Sequence, residues 1–160
     1  MKTRLLFLLG MLAAVGLSAD TTSGVATCTQ APASPVALTD KPNHAFAIGK
    51  SQCGWTGFEL GGLASKSGVA TDLEEITGDS EATVRGYFVS TMINGDTHVA
   101  RYQGSAKMKD GKFVSGQGTF VFTSGTGKLK GIKGKGTYKG TPNPDGTISF
   151  KVEGEYRVSQ

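Results

Sequence analysis

The sequence is poor in the residues that build metal centres: two histidines, His44 and His98, and two cysteines, Cys28 and Cys53, among 160 residues. No CxxC or HxxxH spacing accompanies them, so neither a metal site nor a cofactor is expected. A GxSxG elbow for a nucleophilic serine is also absent. Gly125-Thr126-Gly127-Lys128 resembles half of a phosphate loop, but the first glycine of GxxxxGK[ST] is missing and Leu129 stands where a hydroxyl is needed. Charge of one sign is scarce as well. Setting aside Lys2 and Arg4, the formal charge falls from +4 to +2, which gives no basic face for nucleic acid. Long apolar runs are limited to one, at residues 5–17, and nothing later reaches the roughly 20 apolar residues of a spanning helix, so membrane insertion is not expected.

That single run explains itself by its flanks. Lys2 and Arg4 precede it and Ser18-Ala19 close it, the pattern of a secretory signal peptide over residues 1–19, cleaved after Ala19. The next residue is Asp20 rather than cysteine, which argues against a lipid anchor. The expected product is an exported protein, periplasmic or secreted, with about 141 residues, enough for one core. In such a compartment Cys28 and Cys53 are expected to form a disulfide worth about 3 kcal/mol. It would tie an extended N-terminal arm, residues 20–39, rich in Thr, Ser, Ala and Pro, to a single domain over residues 40–160.

What the chain has in quantity is glycine, 24 residues, set among alternating strands. Residues 44–50 alternate as a first strand, and residues 51–63 read as a strand with bends. Residues 69–76 read as a short helical turn, though Val69, Thr71 and Ile76 suit a strand equally. From residue 82 the period of 2 is clear. Asn94-Gly95 predicts a two-residue hairpin turn that pairs Thr91 with His98, Val89 with Ala100 and Tyr87 with Tyr102. Asp110-Gly111 predicts another, pairing Met108 with Phe113, in conflict by one residue with the apolar face of Gly116, Gly118, Phe120 and Phe122; a bulge would reconcile the two. Ile132, Gly134, Gly136 and Tyr138 share one face of the next strand. In the last, Ile148, Phe150, Val152, Gly154, Tyr156 and Val158 oppose Ser149, Lys151, Glu153, Glu155 and Arg157. Short, regularly spaced strands with glycines on inward faces predict an all-β fold, a closed antiparallel barrel of about eight strands.

Three runs carry a family resemblance: NGDTHVARYQGSAKMKDGK at 94–112, GTGKLKGIKGKGTY at 125–138 and DGTISFKVEGEY at 145–156. Together they resemble the allene oxide cyclase-like barrels, related in architecture to plant dirigent proteins. The resemblance implies an eight-stranded antiparallel barrel, often trimeric in the plant members, whose cavity takes a small apolar molecule. The plant cyclases isomerise a fatty-acid epoxide by holding it in one conformation. No catalytic residue carries over to this chain, and its signal peptide and disulfide candidate depart from those enzymes.

The expected interior of the Asn94-Gly95 hairpin supplies the ligand-site candidates Tyr87, Thr91, His98 and Tyr102, with Arg85 further along and Glu59 from the earlier strand. Aromatic walls with a few convergent polar groups are the usual form of a small-ligand site. The same tyrosines serve equally as barrel core with their hydroxyls at the rim. Three functions follow, in order: an exported barrel binding a small apolar or amphipathic ligand without catalysis; an isomerase or cyclase using the cavity as a mould; and a filled structural or interaction module, as a homotrimer by resemblance. Free interior volume separates the first two from the third, and the direction of Glu59, Arg85 and His98 separates enzyme from binder. Lys128, Lys130, Lys133, Lys135 and Lys139 are read as outer-face lysines that keep strands from pairing with other chains. Protein recovered from its own compartment is expected to begin at Asp20; an intact mass that retains residues 1–19 would overturn the signal assignment.

Overall fold

A computed structural model describes residues 19–31 and 33–159; of the predicted signal segment over 1–19, all but Ala19 lies outside the described residues. Ten strands follow in order: β1 (Asp20–Gln30), β2 (Val36–Ala37), β3 (His44–Thr56), β4 (Glu59–Leu60), β5 (Leu63–Thr77), β6 (Glu81–Met92), β7 (Thr97–Lys109), β8 (Lys112–Gly125), β9 (Lys133–Pro142) and β10 (Ile148–Arg157). A 3₁₀ turn, Gly127–Leu129, links β8 to β9. Among the described residues no helix is long and apolar enough to cross a membrane. All pairings are antiparallel. Strands β5 to β10 pair in sequence, β10 pairs β1, β1 pairs β3, and β3 pairs β5, so eight strands close on themselves and β2 and β4 lie outside the ring.

The N-terminal segment is not an arm. Residues 20–30 form β1, inserted between β10 and β3, and without it the barrel has a gap. Its burial alternates, with Thr22, Ala26 and Cys28 inward, but the inward residues are small or polar, which hides the period of 2 in composition. Residues 69–76 are likewise strand, the middle of β5, held by ladders to β3 and β6 on both sides.

The β6–β7 hairpin departs from its predicted register by one residue. Met92 N donates to Asp96 O at 2.8 Å and Gly95 N donates to Met92 O at 3.0 Å, with Gly95 at φ +89°, so the loop has three residues instead of two. Ser90 therefore pairs with His98 and Gly86 with Tyr102. A slip of one residue turns every side chain of one strand to the other face. Arg85, Tyr87 and Thr91 face outward, while Phe88, Ser90 and Met92 take the inward places. The β7–β8 hairpin keeps the two-residue Asp110-Gly111 turn and the Met108–Phe113 pair, then shifts register before Lys107–Ser115, which is the bulge that the later face requires.

Inside the barrel, large residues sit beside glycines. A methyl group on Gly104 or Gly118 would lie 2.4 Å from Tyr138 Oη, and one on Gly136 would lie 2.4 Å from the Phe120 ring. These glycines make the space that the aromatic rings occupy. Cys28 and Cys53 face each other across the β1–β3 ladder, Cα atoms 4.1 Å apart, in a disulfide that closes a sequence separation of 25. The bond fastens two adjacent barrel staves near the closing seam. A Cys28→Ala/Cys53→Ala variant is expected to lose about 3 kcal/mol in guanidinium unfolding through the entropy its unfolded chain regains; an unchanged midpoint would overturn this.

Candidate functional site

One end of the barrel is plugged. Phe58, Leu60, Leu63, Met92, Leu129 and Ile132, all buried, pack together beneath the β3–β4–β5 bends and the 3₁₀ turn. From this plug a cavity of about 200 Å³ runs toward the opposite end, where Gln30 is exposed and Met108 and Phe113 are partly so. Its walls are mainly apolar, with Trp55, Phe58, Phe88, Phe120, Phe122 and Phe150 contributing aromatic rings. Trp55 stacks on Phe58 at 4.3 Å and donates its indole N–H to Ser90 Oγ at 3.1 Å, so its polar atom is satisfied.

Two polar features break this lining. At the plugged end His98 is 2 % exposed, 5.3 Å from Phe122 and 6.1 Å from Phe58 between ring centroids. Neither of its ring nitrogens has a hydrogen-bond partner. Burial depresses its pKa to about 4, so the ring is neutral at ordinary pH, with one N–H donor and one bare acceptor.

Further along, β5 sends Asp72 and Glu74 into the cavity. Asp72 is flanked in the ladders by Gly49 and Gly86, and a methyl on Gly49 would fall 2.2 Å from Asp72 Oδ1. Tyr102 Oη donates to Asp72 Oδ2 at 2.5 Å, while the buried Oδ1 has no partner. Glu74 has its pKa raised by burial first, then by the Asp72 charge and by the hydrogen bond that a protonated Glu74 gives Asp72. Burial and the Asp72 charge also push Tyr138 up to about 12 and raise Tyr102, so both phenols stay protonated donors.

Of the six cavity candidates, the structure brings His98 and Tyr102 into the cavity. Tyr87 is 53 % exposed, and Thr91 shares its outer face. Arg85 borders an outer groove with Phe46, Leu73 and Glu75. Glu59 is exposed on β4 and contributes only a backbone carbonyl, which accepts from Thr22 Oγ1 at 2.7 Å. The reasons are the hairpin slip for the three β6 residues and the position of β4 outside the ring for Glu59. Asp72 and Glu74 are not among the six candidates. Read as a strand, Ala70, Asp72 and Glu74 share a face, but Val69 and Leu73 on the other face are the more apolar, so the usual inside–outside rule points the wrong way.

The remaining histidine is not in the cavity. His44 Nδ1 lies 2.6 Å from Asp40 Oδ1 and Nε2 lies 3.1 Å from Glu75 Oε1; the Asp40 bond first and the Glu75 bond second raise its pKa. The Gly125–Lys128 turn holds an acid instead of a phosphate: Lys128 N donates to Asp96 Oδ2 at 2.9 Å. Among the described residues no three His, Cys, Asp or Glu side chains converge as metal ligands.

No protein-family model matches the sequence, and no curated protein is significantly similar to it. Among solved structures the fold is similar to the crystal structure, at 1.84 Å resolution, of a protein of unknown function from the DUF3224 family of Shewanella oneidensis MR-1. The TM-score is 0.55 at 14 % identity, covering 89 % of this chain and 99 % of that one. At that identity the likeness is one of fold.

His98 makes stability pH-dependent. Its folded pKa of about 4 lies below the unfolded value of about 6.5, so between these pH values the unfolded chain takes up a proton that the folded chain refuses. Stability is expected to fall by about 3 kcal/mol as pH drops through this window and to level off below it. Denaturant unfolding of the wild type against His98→Leu checks this; the stability of the wild type should fall relative to that of the variant toward acid, and parallel curves would overturn it.

Proposed function

We propose that this barrel holds one small, mainly apolar molecule in its interior and releases it unchanged, as an exported binding protein. The observation that carries the reading is the open cavity of about 200 Å³, which persists although Phe120, Phe122, Ile132 and Tyr156 are packed in the core. A filled interaction module would use the same aromatics to leave no such space. The volume lies below the roughly 300 Å³ at which drug-sized sites begin, which favours a ligand of one ring or a short chain. Export draws support from the signal-like leader, from the Cys28–Cys53 disulfide, and from β1 beginning at Asp20, directly after the predicted cut.

The allene oxide cyclase-like resemblance supports the same cavity use, and with it a homotrimer. An isomerase reading is favoured by one observation, that His98, Asp72 and Glu74 place groups able to move protons inside the cavity. Recovery of a bound molecule as a different isomer from the one supplied would select that reading over simple binding.

Native mass spectrometry of protein from its own compartment is expected to show a retained small molecule on each chain, together with the subunit number. Trp55, the only tryptophan, lines the cavity and reports occupancy by its emission. Titration with cyclohexanol is expected to shift that emission in the wild type and not in Ala100→Phe or Val84→Phe, which fill the cavity. A ligand-free mass together with an unresponsive Trp55 would overturn the binding reading.

A further inference from the structure

The cavity lining contains two carboxyl groups and no lysine or arginine. A fatty-acid head group would meet Asp72 and Glu74, with like charge facing like charge in a water-poor space. A protonated amine meets the opposite situation. It supplies hydrogens to Asp72 Oδ1, which accepts from no group of the protein while Glu74 is ionised, and it offsets the repulsion between the two carboxylates. Tyr102 and Tyr138, whose rings stand 6.0 Å apart beside Asp72, add aromatic faces that attract a cation.

The second unsatisfied group lies at the plugged end. His98 is almost wholly buried, lines the cavity and leaves both ring nitrogens unpaired. A neutral imidazole offers one donor and one acceptor, and a hydroxyl group can answer either. His98 and Tyr102 lie four residues apart on β7, so the two polar points are separated by about 13 Å along the strand, less the reach of the side chains. A single aromatic ring with a polar group at each end fits between them.

Resting on the binding reading above, we infer that the ligand is a small aromatic or aliphatic amine, its ammonium held by Asp72 and Glu74 and a hydroxyl or carbonyl at its other end meeting His98. Selectivity then comes from the carboxyl pair and affinity from the aromatic walls.

Three probes of one shape separate these contributions: tyramine, 4-ethylphenol and 4-hydroxyphenylacetate, which differ in the group opposite the phenol. Calorimetry at neutral pH is expected to show tyramine binding at least tenfold more tightly than 4-ethylphenol, with 4-hydroxyphenylacetate weakest. In Asp72→Asn, where the amide can still accept from Tyr102, the tyramine preference is expected to fall below threefold. Glu74→Gln serves as a second test should Asp72→Asn fail to fold. Equal binding of tyramine and 4-ethylphenol, or a preference that survives both substitutions, would overturn the inference and leave the apolar-ligand reading in place. No binding by any probe, together with an unresponsive Trp55, would overturn both.

Discussion

Eight strands wound into a barrel enclose a space about as wide as the side chains that must fill it, and in this protein that space is divided by pairing large residues with glycine. Tyr138 lies over Gly104 and Gly118, Phe120 over Gly136, and Asp72 between Gly49 and Gly86. Each pairing leaves room for a side chain to lie against the backbone of a neighbouring strand. The cavity is what remains between these rows, bounded below by the packed plug around Leu60, Leu129 and Ile132. The closing ladder between β3 and β5 completes the enclosure, because it brings Gly49 against Asp72.

The electrostatics of the interior follow from that packing. Desolvation acts on whatever is enclosed, and it favours the neutral form of each group. His98 gives up its proton, Glu74 is shifted toward its neutral form, and the tyrosines are held as donors. The polar groups are thereby sorted into a neutral imidazole at the plug and a carboxyl pair nearer the mouth. A chain with arginine or lysine in place of either carboxyl would present the same volume to a different class of molecule.

Much of the barrel was legible in the sequence because one face of most strands is consistently apolar or glycine. β9 and β10 have the alternation read from them residue by residue, and the Asp110-Gly111 turn and its bulge lie where the two competing registers demanded. Legibility failed where the inward residues are small or charged. β1 carries Thr22, Ala26 and Cys28 inward and resembles an arm, and β5 carries Asp72 and Glu74 inward and resembles a helical turn. The site was affected most. His98 and Tyr102 line the cavity as expected, but three companions on β6 lie on the outer face because Asn94-Gly95 forms part of a three-residue loop.

By itself the sequence determined the all-β class, the approximate strand number and the candidate cysteine pair, since these depend on local alternation, turn residues and residue counts. The tertiary structure decided which residues share the interior. A one-residue register shift costs little in local propensity and yet exchanges the two faces of a strand, so no local signal places Tyr87 outside and Phe88 inside. It also decided that the glycine-rich half of the barrel and the acidic stretch of β5 face the same space. Asp72 and Tyr102 are 30 residues apart in the chain, and only closure of the sheet sets their oxygens 2.5 Å apart.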